Sequence, residues 1–132
     1  MTKLLKSFNV PGTLITEGRE GAKVWEQVFA DLPTIVRFAD RLAAICRYFR
    51  FDGYLLNVEN EIPEEQIPNL VRFVTELRSS LRRVGLRQAQ VIWYDSVTCK
   101  GKLDWQNELN GNNRFVHHSE IFFKVSLERN LF

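Results

Sequence analysis

Asn57 and Glu59 stand two apart in Gly53-Tyr-Leu-Leu-Asn-Val-Glu59, a short apolar run that ends on polar side chains. In a β-strand, residues two apart point to the same side and lie about 7 Å from one another. An amide and a carboxyl are thereby presented side by side while Val58 faces away. Aromatic neighbours at Tyr54, Trp93 and Tyr94 would exclude water from the carboxyl and suit it to general-acid work. The same tripeptide also reads as the polar end of a strand entering a loop. Other chemistry-bearing types are sparse. His117 and His118 are adjacent, so in a strand they point to opposite faces, and no third ligand stands at a useful spacing; no metal site is expected. Asp95 reads as a strand-end residue capping backbone amides rather than as a second acid. Thr16 and Glu17 end another strand, as pocket rim or as loop entry. Trp105 suits the buried anchor of a short helix. Nothing resembles a Ser-His-Asp or Cys-His arrangement.

The elements that must position these residues follow in a regular order. Gly12 to Glu17 is rich in β-branched residues and predicts a strand, with a glycine-bearing loop over Gly18 to Gly21. Lys23 to Ala30 predicts a first turn or two of helix. After Asp31-Leu-Pro33, the positions Ile35, Phe38, Ala39, Leu42, Ile45, Cys46 and Phe49 recur at three and four residues, an amphipathic helix. Gly53 to Glu59 is apolar with little alternation, as expected of a parallel strand covered on both faces. Ile67, Leu70, Val71, Val74, Leu77 and Leu81 form a second helical stripe, entered through Pro63 and Pro68 and closed by Gly85. Arg72, Arg78, Arg82 and Arg83 fall on its polar face, where simple solvation is expected. Val91 to Asp95 predicts a strand, Leu103 to Asn110 a helical segment and Ile121 to Val125 a fourth strand.

Strand and helix alternating in units of this size predict an α/β chain with a parallel sheet, either doubly wound or a (β/α) barrel. No G-x-G-x-x-G or G-x-x-x-x-G-K-[ST] follows a strand, which removes the usual ligand signal of the first. Asn57, Glu59, Tyr94 and Asp95 all fall at C-terminal strand ends, the rim where barrel enzymes place their chemistry. The expectation is therefore a partial (β/α) TIM-type barrel of three to four βα units with parallel strands.

With 132 residues and 45% hydrophobic content, the chain can bury a core. Eighteen basic against sixteen acidic residues leave a net +2, spread along the chain, so bulk charge gives nucleic-acid binding no support. Cys46 and Cys99 form no C-x-x-C and no disulfide framework, and a reducing compartment suits them. The opening MTKLLKSFNV lacks the apolar run of a signal peptide, and no stretch approaches the roughly 18 apolar residues of a membrane span. These features predict a soluble, intracellular chain with no membrane partner. Without repeats or linkers, 1–132 reads as a single unit.

Phe51-Asp-Gly-Tyr-Leu-Leu-Asn-Val-Glu-Asn60 resembles the catalytic strand of glycoside hydrolase family 85, the cytosolic endo-β-N-acetylglucosaminidases. Gly12 to Glu17 resembles that family's preceding strand, Trp93-Tyr-Asp-Ser-Val97 its following one, and Gly101-Lys-Leu-Asp-Trp-Gln-Asn-Glu-Leu-Asn110 the segment after it. The blocks keep family order across residues 10 to 123. D-G-x-x-x-N-x-E is also similar to the chitinase strand D-G-x-D-x-D-x-E, with Asn57 at an aspartate position. The resemblance implies hydrolysis of the β-1,4 bond between the two core N-acetylglucosamines of N-linked glycans. The 2-acetamido oxygen of the sugar would attack the anomeric carbon, giving an oxazoline-type intermediate and retention. In that scheme Glu59 is acid and then base, Asn57 holds the acetamido group, and Tyr94 contacts the same group. Trp105 would line the acceptor side, with Trp93 and Asp95 as further substrate-binding residues. No metal or organic cofactor is implied. The partners implied are N-glycans, glycopeptides and free oligosaccharides.

A whole (β/α) barrel takes about 250 residues, so this chain is expected to supply about half of one. After Phe123, where the family continues Asn-Tyr-x-Trp, the sequence reads Lys124-Val-Ser-Leu-Glu-Arg129, which is the expectation of a fragment, an alternative transcript or an incomplete gene model. Two sheet edges and the barrel interior would be left uncovered, an arrangement that favours self-association. An inactive module that binds the glycan core through Trp93, Tyr94 and Trp105, or a scaffold that pairs through sheet edges, are the alternative readings.

Overall fold

The structure, a computed structural model, describes residues 10–106, 108–116 and 121–124. Four strands, β1 (Gly12–Glu17), β2 (Gly53–Glu59), β3 (Gln90–Tyr94) and β4 (Ile121–Lys124), form one sheet in the order β1-β2-β3-β4. All three pairings are parallel, so each link crosses over one face of the sheet. Helices α1 (Gly18–Val28) and α2 (Leu32–Phe49) join β1 to β2, and α3 (Ile67–Arg83) joins β2 to β3. This is the α/β, partial-barrel pattern that the sequence predicts.

Period-two alternation divides the sheet into two unlike faces. Tyr54, Leu56 and Val58 of β2 and Val91 and Trp93 of β3 are buried, in one core with Trp25, Ile35, Ala39, Leu70, Phe73 and Leu77 of the helices. Aromatic rings knit this layer: Trp25 meets Phe73 edge-on at 5.2 Å, and Phe38 stacks on Phe73 at 5.4 Å. Thr13, Ile15 and Glu17, Leu55, Asn57 and Glu59, and Ile92 and Tyr94 belong to the other face and are half-buried or exposed. The expectation that β2 is covered on both faces therefore fails in this chain. Its continuous apolar run reflects a face that only the remaining strands of a closed barrel would cover.

The helix ends follow local chemistry. Asp31 caps α2, its carboxylate accepting the Thr34 amide at 2.8 Å; the Thr34 side chain foremost, and then that amide, hold the carboxyl below its usual range. Arg50 closes α2 in the left-handed conformation. Between α2 and α3, Ser80 donates to Asp40 at 2.7 Å and Arg83 reaches the same oxygen at 2.9 Å. These two donors, Ser80 foremost, lower the Asp40 pKa. Arg83 thus ties two helices and Arg78 donates to the Ala89 carbonyl at 3.1 Å, so neither is merely a solvated charge.

One helix begins earlier than the sequence predicts. The Gly18 to Gly21 stretch is the first turn of α1 rather than a loop. Gly21 lies on the buried stripe with Trp25 and Val28, where a Cβ would stand 2.7 Å from Asn60 Oδ1 and 2.9 Å from the Thr16 carbonyl carbon. Glycine serves here for close packing, not as a breaker.

Candidate functional site

The register sets Ile15, Asn57 and Tyr94 in one row across β1, β2 and β3, with Glu17 and Glu59 in the row nearer the C-terminal mouth. Neighbouring strands run about 4.8 Å apart, so the Asn57 amide and the Tyr94 ring start side by side. Asn57, Glu59 and Tyr94 are each half-buried on the face that the helices leave open. The Oδ1 atom of Asn57 is buried and accepts no hydrogen bond from the described residues. Leaving an amide oxygen in that state costs about 1–3 kcal/mol, and an N–H donor from a ligand would relieve it.

Buried contacts fix the strand end on both sides of Glu59. Asn60, the next residue, is 2% exposed and accepts from Thr16 Oγ1 at 2.7 Å; that same oxygen accepts from Trp25 Nε1 at 2.7 Å. On the other flank the Ser96 hydroxyl donates to the carbonyl of Val58. The carboxyl is thus carried by a backbone pinned one residue before it and one residue after it. Thr16 is consequently no part of a pocket rim, because its side chain turns into the helix layer; Glu17, its neighbour, is exposed on the open face beside Glu59.

Two of the aromatic walls expected around the carboxyl lie elsewhere. Trp93 is opposite Leu56 in the register and 0% exposed, inside the core with the helices and not on the face of Asn57. Tyr54 is buried too, and its hydroxyl donates to the Leu42 carbonyl. Burial, with a smaller contribution from Cys46, pushes that phenol up to about 12 and keeps it neutral. Tyr94 alone of the three shares the open face. Asp95 is likewise enclosed at 1% exposure, and its Oδ2 accepts from the Asn113 side-chain amide at 3.0 Å.

The segment that carries Trp105 is not the helix its sequence predicts. Val97 and Leu103 form an isolated antiparallel bridge, the Asp104 amide donates to the Ser96 carbonyl at 2.9 Å, and the chain then runs irregularly. Side-chain amides replace helical hydrogen bonds: Gln106 donates to the Asp104 carbonyl at 2.8 Å and Asn110 to Gln106 Oε1 at 2.8 Å. Asn and Gln compete in this way for backbone groups, and five of them crowd the stretch from Gln106 to Asn113. Trp105 is 38% exposed on this loop. Ser96 joins both parts of the site, since its hydroxyl holds β2 and its carbonyl holds the residue before Trp105.

The loops after β2 and β3 meet at Gly101, whose carbonyl accepts the Ile62 amide at 3.0 Å. Gly101 has φ +81, and a Cβ there would lie 1.7 Å from the Ile62 carbonyl oxygen. Gly101→Ala is expected to lose roughly 1–3 kcal/mol from backbone conformation alone, with the clash added. Urea unfolding of the two chains measures this, and an unchanged midpoint would contradict the close approach.

Among the described residues no group of three or more His, Cys, Asp or Glu side chains could hold a metal ion, and no helix is long and apolar enough to cross a membrane. The His117-His118 pair lies outside the described residues.

Residues 5–124 match glycosyl hydrolase family 85. The chain is 44% identical over 105 residues to cytosolic endo-beta-N-acetylglucosaminidase 2 of Arabidopsis thaliana, which covers 80% of this chain and 15% of that protein. It is 45% identical over 113 residues to the cytosolic endo-beta-N-acetylglucosaminidase of Danio rerio, covering 85% of this chain and 16% of the relative. The human protein of the same name is 42% identical over 116 residues, or 86% of this chain and 16% of its own length. Among solved structures, the glycoside hydrolase domain of Endo-D from Streptococcus pneumoniae R6 superposes with a TM-score of 0.66 at 20% identity, covering 79% of this chain and 18% of that one. The chain therefore spans about one sixth of the length of these curated relatives, 15–16% in each case.

Proposed function

Because the chain belongs to glycosyl hydrolase family 85, we propose that it carries the catalytic strand of an endo-β-N-acetylglucosaminidase, which cleaves the N-acetylglucosamine-β-1,4-N-acetylglucosamine core of N-linked glycans. The observation that carries the reading is the open-face row in which Asn57 stands beside Tyr94, with Glu59 one step nearer the mouth and Asn57 Oδ1 buried without a donor.

In the first step the acetamido carbonyl oxygen of the sugar forms a bond to its own anomeric carbon as the glycosidic C–O bond breaks. Glu59 gives its proton to the departing oxygen. Asn57 Oδ1 accepts the acetamido N–H, which turns the carbonyl toward the anomeric carbon and raises its nucleophilicity as the oxazoline ring closes. Tyr94 bounds the same group from the next strand. In the second step a water attacks the anomeric carbon from the vacated side, the ring C–O bond opens, and the water's proton passes to the Glu59 carboxylate. Two displacements at one carbon retain configuration, and the substrate supplies the nucleophile. Trp105 offers an exposed indole on the acceptor side. Substrates of this class are N-glycans, glycopeptides and free oligosaccharides, and the shared name of the relatives supports a cytosolic setting.

The test is incubation of the purified chain with a labelled high-mannose glycan on an asparagine peptide. Expected is release of a glycan that leaves one N-acetylglucosamine on the peptide; release of the whole glycan would refute the bond assignment. A second reading draws on the sheet's having only four strands among the described residues, with β1 and β4 as edges. On that reading the chain binds the glycan core or pairs with another chain through those edges and does not turn substrate over. Binding of the labelled glycopeptide that is unchanged in a Glu59→Gln variant, with release from neither, would favour it.

A further inference from the structure

Trp105 sits on a loop with little backbone pairing, and an indole can serve as a sugar platform only if something fixes it in place. A buried side chain ties the same loop to the end of β3. Asn113 is 0% exposed and lies where the 3-10 segment Gly111–Val116 is broken by non-helical backbone at φ −121. Its Nδ2 donates to Asp95 Oδ2 at 3.0 Å and to the Glu108 carbonyl at 2.9 Å, while its Oδ1 accepts the Asn110 amide at 2.8 Å. One side chain therefore joins the end of β3, the middle of the loop and the loop's return. Asn110 and Asn112 pass the connection to Gln106, which neighbours Trp105 in sequence. Asp95 in turn lies between Tyr94 and Ser96, the residues that face or hold the catalytic strand.

We propose that Asn113 is a positioning residue: through its buried hydrogen bonds to Asp95, Glu108 and Asn110 it sets Trp105 at the acceptor side of the site. This rests on the reading of Trp105 as a sugar platform. Asn113 touches no sugar. Both ends of its amide are used, as donor and as acceptor, so no residue of another hydrogen-bonding type replaces it. An aspartate in its place would set two carboxylates against each other and leave the Glu108 carbonyl without its donor.

The structure also supplies the probe. Of the three tryptophans, Trp25 and Trp93 are 2% and 0% exposed while Trp105 is 38% exposed, so acrylamide quenching of fluorescence reads mainly Trp105. The experiment measures quenching with and without N,N′-diacetylchitobiose for the whole chain, Asn113→Asp, the exchange Asp95→Asn with Asn113→Asp, and Trp105→Phe as background. Expected are protection of the parent by the sugar, greater quenching in Asn113→Asp with affinity for chitobiose down about tenfold, and partial recovery in the exchange, where amide and carboxylate face each other again. Far-UV circular dichroism separates a loosened loop from general unfolding, which the exchange would not repair. Quenching unchanged in Asn113→Asp, with sugar protection intact, overturns the proposal and leaves the platform reading standing. No protection of the parent overturns the platform reading, and with it the role given to Asn113.

Discussion

Glu59→Gln is expected to lower glycan release by about 10²–10⁴-fold, the range that a positioned acid contributes. Glutamine keeps the shape of the side chain and its place on the open face of β2, so binding should change little and the loss should fall on kcat. A sharper form uses the leaving group. An aryl glycoside of N-acetylglucosamine with a strongly acidic phenol leaves without needing a proton, so the first displacement should survive in Glu59→Gln and the deficit should shrink. Asn57→Ala should behave oppositely. It removes the group proposed to turn the acetamido oxygen, a defect that no leaving group repairs, and its loss of about 10²–10³-fold should persist on both substrates. Equal activity of Glu59→Gln and the parent on the natural glycan would remove Glu59 from the mechanism.

Gly53→Ala is expected to be the most damaging single substitution for folding. Gly53 has φ +133, a region closed to residues with a Cβ, and a Cβ there would lie 1.9 Å from the Gln90 carbonyl oxygen and 2.6 Å from its nitrogen. These are backbone atoms of β3 at the first rung of the β2–β3 pairing, so no rotamer change relieves the contact. Either the strand that carries Asn57 and Glu59 moves away from the strand that carries Tyr94, or the loop before it rebuilds. The expected loss is about 4 kcal/mol or more, the range that only backbone conflicts and large cavities reach. Gly18→Ala is the control. Gly18 also has positive φ, +60, yet has nothing within 4 Å of the added Cβ. Its loss should stay near 1 kcal/mol. A thermal melt followed by circular dichroism compares them, and similar midpoints would show that the Gly53 contact does not constrain the sheet.

The sheet and the face shared by Asn57 and Glu59 were legible in the sequence to the extent that they depend on local periodicity. Gly12 to Glu17 and Gly53 to Glu59 are strands with the boundaries their composition predicts. Asn57 and Glu59 share a face because they are two apart. The same rule also corrects the aromatic wall: Trp93 and Tyr94 are adjacent in one strand and cannot both face the mouth, and Tyr54 is three residues from Asn57. What depends on distant partners was not legible. Gly21 reads as a breaker until Thr16 and Asn60 are seen packed against it, 44 positions apart. Leu103 to Asn110 reads as a helical segment, but Asn113 and Gln106 bind its backbone and hold it irregular. Ser96 and Asn113 left no signal of their own, since a serine after a strand and an asparagine in a polar loop are ordinary until a partner is known.

The strand order β1-β2-β3-β4 follows the order of the chain. Each strand finds its partner in the unit synthesised just before it, and Tyr94 pairs with Asn57 only one crossover later. Sequential pairing of this kind lets a nascent chain settle unit by unit as it leaves the ribosome, without waiting for a distant terminus. The consequence concerns timing: in assembly that follows chain order, the groups proposed to break the glycosidic bond come into register as soon as β3 joins β2.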